Sequence, residues 1–351
     1  MIIHFGAVFL YFRASYLQKN AGYLIFVDLS KDIRYDKDRK GRIQMTAIKI
    51  DNLTKRYGDL TAVDKISFEV KKGELLGFLG VNGAGKSTTI NMLSTLLKPD
   101  SGSAEVCGEM LGRDDDAIRR KIGIVYQQNC LDGLLSVKEN LLCRGVLHGA
   151  TSLQAKKRLD ELCEILSLSE ILKKRYDKLS GGQKRRCEIA AALMHTPELL
   201  FLDEPTTGLD PATRKEVWNA VENLRRDTGM TIFLTTHYME EAAGANRIII
   251  IEKGRIHADG TPFELKEKYA ADTVKIYCEK DSVANVTSTL AAAGITARAE
   301  EYGLSFAVAN TVDAMEPVYS LKGQITGLEI IQGNMDDVFL NACGKEIEGG
   351  K

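Results

Sequence analysis

The sequence predicts an α/β chain in which a doubly wound parallel sheet carries a helical insert and is followed by a small α+β unit. Three features point to it. Leu75–Leu79 runs straight into the glycine-rich stretch Gly80-Val-Asn-Gly-Ala-Gly-Lys-Ser-Thr88, and a helix-compatible run follows. Leu199 to Leu202 and Thr231 to Leu234 are continuous apolar runs flanked by helical segments, the pattern of strands covered on both faces of a parallel sheet. Beyond Tyr269 the order becomes strand, helix, two strands, helix, strand, the split βαβ order of ferredoxin-like folds.

Taken along the chain, residues 1–45 stand apart. Apolar runs from Met1 to Phe12 and from Tyr23 to Val27 are too short to span a bilayer, and Lys31 to Arg42 is charged. No basic region precedes the first run, which argues against a signal peptide. A translated upstream extension with Met45 as the start, or a membrane-surface anchor, are the alternatives. Strands are then expected at Ile48 to Leu53, Ile66 to Val70 and Leu75 to Leu79. Leu159, Leu162 and Leu166, spaced three and four apart, mark an amphipathic helix within the insert. Arg247 to Glu252 and Arg255 to Ala258 form a hairpin around Lys253 and Gly254, ahead of Pro262. The terminal unit is expected as strand 274–278, helix 283–293, strands 296–300 and 305–308, helix 312–321 and strand 327–331. The boundaries are therefore an extension over 1–45, a main domain over 46–269, an accessory unit over 270–345 and a tail over 346–351.

Bulk composition narrows the function classes. The 351 residues carry 47 Lys and Arg against 48 Asp and Glu, so no global field favours nucleic acid, and any bound anion must be held locally. The seven cysteines are scattered, with no CxxC pair of the kind zinc or redox sites use, and read as reduced thiols of a cytosolic protein. No run reaches the roughly 18 apolar residues of a membrane-spanning helix. If the protein moves a solute, another polypeptide supplies the path.

The strand–loop–helix context makes Gly80, Val81, Asn82, Gly83, Ala84, Gly85, Lys86, Ser87 and Thr88 a P-loop. Its glycines let backbone amides curl towards phosphate oxygens, and the N-terminus of the next helix adds its own N–H groups. Lys86 supplies a point charge to the β and γ phosphates, and the Ser87 hydroxyl is placed for Mg²⁺. Alone, the loop indicates a nucleotide site without separating a kinase, a GTPase and a transport motor.

The separating motif is Leu179-Ser-Gly-Gly-Gln183, ahead of a helix-prone stretch beginning at Lys184. A hydroxyl and two unhindered glycine amides at a helix start make a second anion cradle. This pentapeptide resembles the signature of ABC ATPases. The resemblance implies an ABC nucleotide-binding domain of the P-loop NTPase class. In such a domain Ser180, Gly181, Gly182 and Gln183 face the γ phosphate held by the P-loop of a second copy.

Leu199-Leu-Phe-Leu-Asp203-Glu204 reads as a buried strand ending in two carboxylates. Asp203 is suited to Mg²⁺, and Glu204 to orienting and deprotonating the attacking water. Pro205-Thr-Thr-Gly-Leu-Asp210 resembles the family's D-loop, with Thr207 where serine is common. His237, closing Thr235-Thr-His, matches the switch histidine that contacts the γ phosphate. By itself a histidine would more often be a satisfied core residue. Gln127, in Val125-Tyr-Gln-Gln, matches the glutamine that reaches Mg²⁺ and the water and senses the membrane partner, with Gln128 as the alternative. Tyr57, in Thr54-Lys-Arg-Tyr, matches the aromatic that stacks on adenine, and a surface tyrosine is the alternative. Val63 and Asp210 join the nucleotide contacts on the same resemblance, which runs continuously over residues 47–269.

Asn334-Met-Asp-Asp-Val-Phe-Leu340 resembles the tail of ATP-binding subunits of daunorubicin-resistance-type exporters, whose permeases are of the ABC-2 class. The resemblance implies ATP and Mg²⁺ as ligands, a homodimer with shared ATP sites, and an integral membrane permease as partner. It also implies peripheral attachment at the cytoplasmic face of the membrane and export of a drug, antibiotic, lipid or polysaccharide rather than import. The rival readings are a soluble ABC factor and a generic P-loop kinase or GTPase. Against the first stand the single cassette and the absence of long coiled coils; against the second stands the Leu179–Gln183 motif.

Overall fold

The computed structural model describes residues 46–344, apart from 302 and 310; the expectations for 1–45 and for the tail fall outside them. The described part opens with β1 (Thr46–Tyr57) and β2 (Leu60–Lys71), an antiparallel pair turning at Gly58 and Asp59. Both are longer than predicted. Beyond the predicted runs the β1–β2 ladder shifts register at Leu53/Lys55 and Lys55/Arg56, so the alternation that marks a strand is lost in the sequence even though the pairing continues. β3 (Leu75–Leu79) is buried throughout, as expected of a central parallel strand, and leads through the glycine-rich loop to α1 (Lys86–Leu93).

Next come β4 (Ser101–Val106), β5 (Glu109–Met110), α2 (Asp115–Lys121) and β6 (Ile122–Val125). The insert consists of α3 (Val137–Leu147) and α4 (Ser152–Ile165), each started by a capping box, at Ser136 and Glu139 and at Thr151 and Gln154. Leu159, Leu162 and Leu166 are buried, as the helical spacing predicts. There follow α5 (Gly181–Leu193), β7 (Leu199–Asp203), α6 (Pro211–Thr228), β8 (Thr231–Thr236), the hairpin β9 (Arg247–Glu252) and β10 (Arg255–Gly260), and α7 (Pro262–Tyr269).

β2-β1-β4-β5 form one antiparallel sheet, and β10-β9-β3-β8-β7-β6 form the central sheet, parallel except at its β10 edge. Side chains alternate between its faces. Phe78, Phe201 and Phe233 meet on one face at ring-centroid separations of 5.3–5.5 Å and pack with Ile48, Ile50 and Phe68 of the antiparallel sheet. Leu200, Leu202, Ile232 and Leu234 face the helices of the other layer. The parallel order brings the C-terminal ends of β3, β7 and β8 together, the edge where ligands of open α/β sheets bind.

The last segment comprises β11 (Asp272–Tyr277), α8 (Val283–Ala292), β12 (Arg298–Glu300), β13 (Gly303–Val308), α9 (Met315–Ser320), β14 (Gly327–Ile331) and α10 (Met335–Ala342). Its sheet is antiparallel in the order β12-β13-β11-β14, over a core of its own built on Val274, Ile276, Val286, Leu290 and Phe306. The predicted helix over 312–321 is divided into a 3₁₀ turn, Thr311–Ala314, and α9. Pro317 has no N–H to bond the Asp313 carbonyl and its ring crowds that carbonyl, so the segment before it closes as a 3₁₀ turn and the α-helix starts at Met315, with the proline in its first turn where the missing N–H is tolerated. The 334–340 tail forms α10, capped by Asn334 and Asp337. α10 buries Met335, Val338 and Phe339 not in the accessory core but beside Leu265 and Ala270 in the main one.

Candidate nucleotide site

The P-loop is held from beneath. Gly85, the N-cap of α1, has φ 110°, and a Cβ there would lie 2.5 Å from the Ala62 carbonyl oxygen, so only glycine fits. Val63 is fully buried at the same place, with its Cγ2 3.4 Å from that Cβ position. The Gly254 N–H donates to Ala84 O at 2.9 Å and the Thr89 hydroxyl to Gly85 O at 2.9 Å. Val81, Asn82, Gly83 and Ser87 are exposed, Thr88 is half-buried, and Ala84 and Lys86 are buried. Tyr57 is half exposed at the β1–β2 turn, with Lys55 Nζ 5.8 Å from its ring centroid.

Three loops converge on Glu204. Lys86 Nζ donates to Gly80 O at 2.7 Å and Val81 O at 3.2 Å, and lies 3.1 Å from Glu204 Oε1. Glu204 Oε2 accepts from Gln127 Nε2 at 3.4 Å and from Thr207 Oγ1 at 3.1 Å. His237 Nδ1 stands 3.2 Å from the same oxygen, within ion-pair range but out of hydrogen-bond alignment. The structure thus brings the Gln127 side chain to the carboxylate, and among the described residues no hydrogen bond joins Gln128 to it.

Glu204 has φ 46°, a conformation that costs a non-glycine residue roughly 1–2 kcal/mol. Its N–H donates to Thr235 O at 3.0 Å and to Thr235 Oγ1 at 3.2 Å, which holds the turn. Burial pushes the Glu204 carboxyl up. The hydrogen bond and charge of Lys86, then His237 and Thr207, outweigh it and hold the group below the usual carboxylate range. Beside it, Asp203 Oδ1 accepts from Thr235 Oγ1 at 2.6 Å and Ser87 Oγ at 3.2 Å, tying the strand end to the first turn of α1.

The second cradle is built separately. Ser180 caps α5: its hydroxyl accepts from Gln183 N–H at 3.3 Å, and the Gln183 side-chain oxygen accepts from Ser180 N–H at 3.1 Å. That bond engages the Gln183 amide in stiffening its own loop. Gly182 leaves no room for a side chain, since a Cβ would fall 2.2 Å from Thr213 Cγ2. Thr213 in turn donates through its hydroxyl to Asp210 at 2.5 Å, while Asp210 caps α6 by accepting from Ala212 and Thr213 N–H groups at 3.1 Å. These bonds to Thr213 and Ala212 pull the exposed Asp210 carboxyl below its usual value. Among the described residues no hydrogen bond or ion pair joins Ser180–Gln183 to Gly80–Thr88.

Sequence reading overlooked several side chains that touch these groups. Thr235 opens the run Thr235-Thr-His but has no role assigned by it, and its spacing from Glu204 carries no signal without the β7–β8 pairing. Glu241 is buried and accepts hydroxyl hydrogen bonds from Thr206 and from Thr236, joining the loops that carry Glu204 and His237. A carboxylate four residues past His237 is the only trace of it in the sequence.

The ABC transporter family model matches residues 63–207. The daunorubicin resistance ATP-binding protein DrrA3 of Streptomyces coeruleorubidus is 39% identical over 86% of this chain and 97% of its own. The chain belongs to the ABC transporter ATP-binding proteins. It is an ABC transporter ATPase, and two further likenesses bear on its subgroup. Linearmycin resistance ATP-binding protein LnrL of Bacillus subtilis is 46% identical over 65% of this chain and 73% of its own. Nod factor export ATP-binding protein I of Paraburkholderia xenovorans is 39% identical over 86% and 98%. Among solved structures, cbiO1 of Clostridium perfringens, part of the cbiONQ transporter complex, superposes with TM-score 0.60 at 28% identity, covering 72% of this chain and 98% of its own. A dimeric post-hydrolysis form of the cassette MJ0796 bound to ADP and Pi gives TM-score 0.56 at 29% identity, covering 61% and 98%.

Proposed function

We propose that this ABC transporter ATPase closes as a homodimer around two Mg·ATP and thereby energises a separate integral membrane permease of the ABC-2 class. Its cargo is a drug, antibiotic, lipid or polysaccharide, and it works at the cytoplasmic face of the membrane. The observation that carries the reading is the convergence of Lys86, Gln127 and His237 on Glu204, beside a second cradle at Ser180–Gln183 that makes no contact with the P-loop of its own chain. A cradle with no phosphate in its own chain suits a nucleotide held by a second copy, and the dimeric relative supports that arrangement. The resistance and export proteins among its relatives support the direction of transport. No helix among the described residues is long and apolar enough to cross a membrane.

In this reading Tyr57 stacks on adenine. Val63 backs the loop Gly80–Thr88, whose amides cradle the phosphates, and Lys86 leaves the carboxylate to neutralise the β and γ phosphates. Glu204 orients and deprotonates the attacking water, with Gln127 and His237 fixing water and γ phosphate. Ser180, Gly181 and Gly182 cap the γ phosphate in the partner copy, while Gln183 and Asp210 hold that surface in shape. Catalysis is then positioning and charge neutralisation.

The residues also fit Mg²⁺. Among the described residues no cluster of three or more His, Cys, Asp or Glu makes a protein-only metal site. Ser87, Asp203 and Gln127 offer a few hard oxygen donors, the incomplete set suited to an ion that keeps waters and substrate oxygens. When bound, Mg²⁺ neutralises phosphate charge.

Residues 46–269 form the ATPase domain and 270–345 an accessory domain. The order β14-β11-β13-β12, antiparallel throughout with α8 and α9 as crossovers, supports a ferredoxin-like fold for the latter. The decisive test is Glu204→Gln, which should keep ATP binding and lose about 10²- to 10⁴-fold in hydrolysis. Turnover at the wild-type rate rejects the assignment.

A further inference from the structure

Two buried charges on α5 take no part in the chemistry above. Arg185 is 4% exposed and Glu188 is 6% exposed, in surroundings where an uncompensated charge is costly. Arg185 Nη1 donates to Tyr126 O at 2.5 Å, and Nη2 donates to Asp203 O at 3.3 Å. These carbonyls belong to the residues immediately before Gln127 and Glu204, whose side chains meet at 3.4 Å. One planar guanidinium therefore sets the spacing of the two peptide units from which both side chains depart.

Glu188 completes the arrangement. Its Oε1 accepts from Cys130 N–H at 2.8 Å, Leu131 N–H at 3.2 Å and the Tyr176 hydroxyl at 2.6 Å. The segment between β6 and α3 is irregular, so these bonds from α5 replace the ladder it lacks. Tyr176 sits in the turn just ahead of Leu179, so the same carboxylate also anchors the approach to the Ser180 loop.

We propose that Arg185 is a positioning residue for ATP hydrolysis: beside the separate anchor made by Glu188, it ties the Gln127 segment and the Glu204 strand end to the helix that carries the Ser180 loop. A displacement of α5, as when the second cradle engages a partner's nucleotide, is thereby transmitted to the Gln127–Glu204 pair. The proposal rests on the roles in hydrolysis given above to Gln127 and Glu204. Lysine is a poor substitute, because a single ammonium on a flexible stem does not reproduce the fork that reaches two carbonyls.

The test is a double-mutant cycle on the full chain, with Mg·ATP hydrolysis and thermal melting as readouts. Arg185→Met should lower kcat about 10-fold or more while KM for ATP stays within about twofold, the pattern of a lost positioning interaction. Arg185→Lys should fall between the two. In a Gln127→Ala background the Arg185→Met loss should shrink to about twofold or less, because coupled residues are not additive. An equal loss in both backgrounds, a wild-type kcat, or a loss in which KM and melting temperature move together overturns the proposal. If Arg185→Met does not fold, Arg185→Lys and Tyr176→Phe are read by the same criteria. Glu204→Gln, measured in parallel, separates the two levels. Wild-type turnover there rejects the reading of the site, whereas its loss together with additive Arg185 effects rejects Arg185 alone.

Discussion

Lys86 Nζ lies 3.1 Å from Glu204 Oε1, with both side chains buried, so the P-loop and the end of β7 are joined by an ion pair. The pair sets the charge state of the carboxylate. Because Lys86 opposes the upward push of burial, Glu204 titrates below its ordinary 4.5. A depressed carboxyl contributes stability that is fully present above its unfolded-state pKa and lost as pH falls from there through the folded-state value. Lys86→Ala should therefore raise the Glu204 pKa in the nucleotide-free protein. Carbon-13 NMR of the Glu204 carboxyl measures this, and an unchanged or lower pKa would contradict the electrostatic account.

Gly182 makes a packing prediction. A methyl at its Cβ position collides with Thr213 Cγ2, so Gly182→Ala should destabilise the protein by about 1–3 kcal/mol, the usual range for overpacking. Thr213→Ser removes that methyl yet keeps the hydroxyl that Asp210 receives, and should restore most of the loss in the double variant. Denaturant midpoints decide it; a Gly182→Ala chain as stable as wild type removes the steric argument.

Shared sites predict complementation. Lys86→Ala and Ser180→Ala homodimers should each fail to hydrolyse ATP. In a mixed dimer one site combines the intact P-loop of one chain with the intact Ser180 of the other. An equal mixture should recover up to about a quarter of wild-type turnover, half the dimers being mixed with half their sites intact. Recovery of nothing at any ratio contradicts sharing.

What was legible beforehand divides along physical lines. The buried strands ending at Leu79, Asp203 and Thr236 and the loops after them have strong local signatures, and the structure places Lys86, Gln127 and His237 around the Glu204 carboxylate. Contacts that arise only from pairing distant segments left no pattern. Thr235 reaches Asp203 because β7 and β8 are neighbours in register, and Arg185 reaches Tyr126 and Asp203 across a helix–sheet interface. The outer ends of β1 and β2 leave no pattern because shifts of register break their alternation, and Pro317 delays to Met315 an α-helix that composition alone starts earlier. α10 escaped because its capping residues were read as a family tail, although Asn334 with Asp337 is a helix-start signal in its own right.

The account stands on one nucleotide being held jointly by two chains. Sedimentation of the Glu204→Gln protein saturated with Mg·ATP tests this most directly. Dimers carrying two nucleotides are predicted, dissociating when ATP is removed. A strictly monomeric protein with its site full would contradict the account.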